Sequence, residues 1–143
     1  MSYIKKTMKY ILRLFTIALI SLTIFSCQEE EPIGPTTLEG SYDGIFTVDY
    51  FDGGTFSNPV TITFNNGNYS SSSGENRRPA GGSGSYEITG NKIVFTDVNF
   101  WTAEFDWNLV LSGEYVLSQT RSSIIFGARK NEVGIYTYEL DKK

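Results

Sequence analysis

The sequence contains no histidine and a single cysteine in 143 residues. Without histidine, no Ser-His-Asp or Cys-His catalytic arrangement can be assembled. With one thiol, neither a Cys/His zinc site nor an intrachain disulfide can form. Acidic residues are missing from the N-terminal part: all sixteen follow Cys27, whereas four of the twelve basic residues, Lys5, Lys6, Lys9 and Arg13, precede it. From Cys27 onward the chain therefore holds eight basic and sixteen acidic side chains, a formal charge of −8. Nucleic-acid binding needs clustered Lys and Arg to neutralise phosphates. The densest such cluster here is the pair Arg77-Arg78, a solvated loop tip, so no nucleic-acid partner is expected.

Long apolar runs are also missing. Leu14 to Phe25 is uncharged and apolar, yet it stops about six residues short of the ~18 that a membrane span needs. Preceded by four basic residues, it has the layout of a secretion signal: a positive segment, then a short apolar one. Residues 1–26 are read as a signal peptide.

Ile24-Phe25-Ser26-Cys27 resembles the lipobox of bacterial lipoproteins, in which a small residue precedes the cysteine that becomes lipidated. The resemblance implies that Cys27 is the lipid anchor and the first residue of the mature chain. Its sulfur is the nucleophile that can carry a thioether-linked diacylglycerol. At about 0.8 kcal/mol per buried methylene, two or three acyl chains hold a protein durably on a bilayer. Gln28, Glu29, Glu30 and Glu31 resemble the acidic export tag of Bacteroidota-type surface lipoproteins. That likeness implies a protein anchored in the outer membrane by lipid and exposed at the cell surface, with an outer-membrane protein among its expected partners. Residues 27–37, with three consecutive glutamates, two prolines and a glycine, read as a lipidated acidic tether.

From residue 38 to 143 the pattern is one of short alternating runs broken by turn signals, with no sustained helical period. Asp52-Gly53-Gly54, Asn65-Asn66-Gly67, Gly90-Asn91, Ser112-Gly113 and Lys130-Asn131 tolerate positive φ and mark hairpins. Strands are predicted over 40–51, 56–64, 68–73, 83–89, 92–97, 104–111, 114–120, 122–128 and 133–141. Hairpins without room for crossover helices predict an all-β domain, an antiparallel meander closing into a small eight- to nine-stranded barrel. Leu109-Val110-Leu111 and Ile124-Ile125-Phe126 lack a polar side and call for cover on both faces.

Gly40-Ser41-Tyr42, the run from Gly84 to Phe95 and Ser112-Gly113-Glu114-Tyr115 are similar to the small lipocalin-like domains of bacterial lipoproteins. The resemblance covers Leu38 to Asp141. It implies a lipocalin-like β-barrel binding a small apolar or amphiphilic ligand, with no catalysis and no cofactor. The inward face is expected to include Tyr42, Phe46, Ile62, Phe64, Ile93, Phe95, Tyr136 and Tyr138.

Phe100 to Trp107 is the most aromatic stretch. Trp101, if in a loop, offers a flat face for a sugar or a lipophilic ring, whereas Trp107 and Phe105 read as core. The candidate ligand-binding residues are Trp101, Tyr42, Phe64, Tyr136 and Arg77, with Trp101 or Arg77 at an entrance beside the 70–84 loop. The alternative is an accessory module binding glycan or protein through exposed aromatics such as Trp101, Tyr50 and Phe51. Glu104 and Asp106, two apart on a predicted strand, are spaced for glycoside hydrolysis, but solvated acids are the plainer reading. No Asp-x-Asp-x-Asp pattern suggests calcium, and no metal site is expected.

Overall fold

The computed structural model describes residues 37–143. The predicted signal peptide, Cys27 and the tag residues Gln28 to Glu31 lie outside the described residues. Eight strands run in chain order: β1 Gly40–Tyr50, β2 Thr55–Asn65, β3 Asn68–Ser71, β4 Gly82–Thr89, β5 Lys92–Asp97, β6 Gly113–Gln119, β7 Ser123–Lys130 and β8 Gly134–Lys142. Each pairs antiparallel with its sequence neighbour, and β1 pairs with β8, so the sheet closes into a barrel with no free edge.

The ninth predicted strand, 104–111, does not form. That stretch belongs to a loop, 98–112, in which Trp107–Leu109 makes a single 3-10 turn. Asp106 initiates the turn by accepting a hydrogen bond from the Asn108 backbone at 3.0 Å, and such side-chain competition for the backbone favours a turn over a strand.

Strand alternation sends one set of residues inward. All eight expected inward residues, from Tyr42 to Tyr138, are buried. The rings pack on one another around the interior: Phe64 meets Tyr86 at 5.0 Å, Phe95 meets Phe126 at 5.3 Å, and Phe126 stacks on Tyr138 at 4.8 Å. Tyr138 in turn meets Phe46 at 4.8 Å. An eight-stranded barrel is just wide enough to be filled by its own side chains, and the middle of this one is filled by aromatic rings.

Bulky rings on so small a cylinder require sharply coiled strands, and inward glycines supply the bends. A Cβ on Gly44 would lie 1.9 Å from the Glu139 carbonyl oxygen, and one on Gly84 would lie 1.9 Å from that of Thr96. Only glycine permits these approaches.

The two ends differ. At one end lie Thr37 to Glu39, the C-terminus and the short turns β2–β3, β4–β5 and β6–β7. Here Tyr86 donates its hydroxyl hydrogen to the Leu38 carbonyl at 2.6 Å, and Tyr42 packs edge-on to Phe64 at 5.6 Å. Lys142 of the last strand sits opposite Tyr42, its Nζ 5.9 Å from the ring centroid. At the other end lie the two long loops, 72–81 and 98–112, together with the tight β1–β2 and β7–β8 turns.

Candidate ligand-binding site

The long loops fold over their end of the barrel and pair with each other. The Ala80 amide donates to the Leu109 carbonyl at 2.9 Å and the Leu111 amide to that of Gly81 at 3.1 Å, around a parallel bridge of Gly81 with Val110. Leu109, Val110 and Leu111 are buried as part of this cap. Their unbroken apolar pattern, read in the sequence as a two-faced strand, is explained by a loop covered by the barrel below and the neighbouring loop beside it. Tyr69 fixes the cap from beneath by donating to the Leu111 carbonyl. On β2, Asn58 donates to the Arg78 carbonyl at 2.6 Å and to that of Glu75 at 3.2 Å.

Asp97, at the end of β5, organises the start of the 98–112 loop. Its carboxylate accepts from the Ser83 amide at 3.0 Å, from Asn99 Nδ2 at 2.7 Å and from the Trp101 indole N–H at 2.6 Å. Trp101 is thereby held half-buried, stacked on Phe105 at 5.0 Å. Arg77 lies over the same Phe105 ring, 5.5 Å from its centroid. Two of the candidate residues, Trp101 and Arg77, thus share one aromatic partner on the cap. Arg77 and its neighbour Asn76 adopt left-handed conformations, with φ of 60° and 53°. Arg78 covers Phe56 at 5.5 Å, and Arg129 covers Phe51 at 4.3 Å. Arg77-Arg78 is accordingly a loop tip laid on aromatic rings.

The remaining candidates do not gather with these. Tyr42 and Phe64 belong to the opposite end. Tyr136 stands on the inner wall one layer below the cap, in a row with Ala128, Val48 and Phe56 set by the strand register. Trp107, expected in the core, is instead 57% exposed, and Phe100 is 93% exposed. Both lie in the loop that replaced the predicted strand, so strand alternation never acts on them. Glu104 and Asp106 share that loop, and the strand spacing proposed for a carboxylate pair does not apply. Ile125, on the outer wall of β7, is exposed without cover.

Two features of this end were not legible in the sequence. The Tyr136 hydroxyl has no hydrogen-bond partner among the described residues, although the residue is only 1% exposed. Burial, with Asp106 and Tyr50 adding to it and Arg78 opposing, pushes its pKa up to about 12. Lys130, inward on β7, donates to the Ser112 carbonyl at 2.6 Å and lies 4.4 Å from the Tyr115 ring centroid. It makes no ion pair among the described residues, and burial lowers its pKa. A register signal existed for Lys130, which alternates with the inward Phe126 and Ala128, but the sequence reading ended the strand at 128 and placed Lys130 in the Lys130-Asn131 turn, whereas β7 runs to Lys130.

Compared with protein-family models, with curated proteins and with solved structures, this chain has no match.

Proposed function

We propose that the chain is a lipoprotein anchored in the outer membrane through Cys27 and displayed at the cell surface. Its lipocalin-like barrel binds a small apolar or amphiphilic ligand without catalysis. The observation that carries this reading is the polarity of the barrel: the tether joins at Thr37, at the end opposite the two long loops. A chain of about ten residues can reach at most roughly 35 Å, a length compatible with a capped end that stands clear of the bilayer. Lipocalins close the barrel floor with a first-strand tryptophan under a last-strand arginine; this chain departs from that pair, with Tyr42 in the first strand and Lys142, 5.9 Å from its ring, in the last. Because rings fill the middle of the barrel, the capped end is the end this reading assigns to the ligand.

A titration with a fluorescent fatty-acid analogue, followed through tryptophan emission, tests the reading. Saturable micromolar binding, worth about 8 kcal/mol, is expected, and Trp101→Ala weakens it. Absence of saturable binding favours the second reading, an accessory module that docks a glycan or a protein partner. The exposure of Phe100 and Trp107 supports that alternative, since aromatic side chains free of cover are typical anchors of recognition surfaces.

A further inference from the structure

The outer wall of the barrel is hollowed on both sides of Gly44. Two adjoining hollows of about 350 and 320 Å³ meet at this glycine, one on the β2 side and one on the β8 side. The strand register fixes what faces solvent there. Pro59, Ile45, Glu139 and Ile125 stand in one row across β2, β1, β8 and β7. In the next outward row, toward the chain termini, Asp43 is opposite Asp141, and Asp141 is opposite Ser123. Ile45 is 43% and Ile125 46% exposed, and Pro59, Glu139, Asp43 and Asp141 are exposed as well. Two isoleucines thus flank one carboxylate in a groove that no described residue covers.

The charges in this groove do not balance. Asp43 pairs with Lys143 at 2.8 Å and accepts from the Thr61 hydroxyl at 2.6 Å, whereas Asp141 and Glu139 make no ion pair among the described residues. Like charges directly opposite one another weaken a sheet, and Lys143 answers only the Asp43 half of the Asp43–Asp141 pair. The closed barrel has no free edge to which a strand could add, so an occupant is held through side chains. Charge disfavours the two occupants that this chain could itself supply: Glu29, Glu30 and Glu31 would bring more carboxylates, and a second copy would bring the same ones. We propose that the groove docks an extended segment of a partner protein in which basic and aliphatic residues alternate. The aliphatic residues and the stems of the basic ones lie along Ile45 and Ile125, while the charged heads reach Glu139 and Asp141. The two isoleucines are two strand spacings apart, about 10 Å, a span that about three residues of extended chain cover. Because it lies on the outer wall, this surface is independent of the ligand-binding reading.

The test is a fluorescence-anisotropy titration of a dye-labelled short peptide of alternating lysine and leucine with the full chain in neutral detergent, against a detergent-only blank. The expected result is saturable binding that added salt weakens. Glu139→Gln weakens it by up to about fivefold, the scale of one exposed ion pair, and Glu139→Lys abolishes it. Ile45→Thr combined with Ile125→Thr, which keeps β-branched residues on the strands, weakens it roughly tenfold through lost apolar contact. Glu87→Gln, on the outer wall of β4 away from the groove, leaves it unchanged. Thermal melts of each variant establish that the barrel is folded. The docking surface is overturned if the peptide does not saturate, or if Glu87→Gln weakens binding as much as Glu139→Gln. It is equally overturned if a peptide with glycine in place of leucine binds as well, since charge alone then suffices. Self-association in sedimentation that the double isoleucine variant abolishes assigns the groove to a second copy and refutes the cationic partner.

Discussion

Replacing Tyr136 with phenylalanine should make the protein more stable, which is unusual for a change at a residue only 1% exposed. The ring stays, and with it the contact to Phe46 at 6.1 Å. What is lost is a hydroxyl with no partner among the described residues. Leaving a buried polar group unpaired costs about 1–3 kcal/mol, so removing it should recover about that amount. For a domain of this size class, about 1 kcal/mol moves the melting temperature by roughly 4–8 °C. Two other tyrosines serve as controls with the opposite sign. Tyr69→Phe abandons the Leu111 carbonyl of the cap, and Tyr86→Phe abandons that of Leu38. Each loses a hydrogen bond worth about 0.5–1.5 kcal/mol and leaves a carbonyl unpaired besides. Thermal melts followed by circular dichroism, on the three variants side by side, decide the matter. If Tyr136→Phe is destabilised as much as Tyr69→Phe, its hydroxyl has a partner in solution, and the stability reasoning fails.

On the proposed lipoprotein reading, in which acyl chains on Cys27 would supply the attachment, Cys27→Ser should release the protein from membranes; a variant that still sediments after a carbonate wash refutes that reading. Replacing Glu29, Glu30 and Glu31 with alanine should turn a protease-accessible protein into a protected one in intact cells, and unchanged accessibility removes the export tag. Alkali should unfold the barrel cooperatively. Tyr69, Tyr115, Tyr136 and Tyr138 have pKa values raised by burial above the ordinary 10.0. The unfolded chain therefore loses these protons first, and the stability they contribute is complete below pH 10 and declines above it. Tyrosinate absorbance that rises gradually ahead of unfolding contradicts this. Gly84→Ala should cost well over the ~1–3 kcal/mol of ordinary overpacking, since its Cβ meets the Thr96 backbone at 1.9 Å rather than a movable side chain; a soluble variant with an unchanged melting point shows that the strand bend is not needed.

The barrel was legible because its two signals are local. Val60, Ile62 and Phe64 alternate with threonines, and turns such as Asn66-Gly67 and Gly90-Asn91 close hairpins within a few residues. Where the chain crosses the barrel end, the same rules misled. Phe105, Trp107 and Leu109 alternate with polar residues like a strand, yet they have no neighbouring strand to pair with. Asp106 turns the backbone there, and the alternation falls away, leaving Trp107 exposed. The site was less legible for a related reason. Strand alternation places Lys130 and Tyr136 on the inner wall, but which of them finds a partner depends on loops whose course no periodicity records. Arg77 and Trp101 were singled out as entrance residues, and both do lie on the cap. Their common contact, Phe105, was read as core.

The distribution of chemistry in this barrel follows from its width. An eight-stranded barrel is just wide enough for its own side chains, and Phe95, Phe126, Tyr138 and Phe46 pack ring to ring across its middle. A phenylalanine-only interior would need no hydrogen bonds, but tyrosines near the ends bring hydroxyls that must be paired. Tyr86 and Tyr69 meet this need by tying down Leu38 at one end and the Leu111 segment at the other. They convert ring packing into fixed end-closures. Tyr136 occupies a comparable level, beside Val48 and Ala128, without any such segment to hold. Loop anchoring therefore accounts for the first two hydroxyls and not for the third.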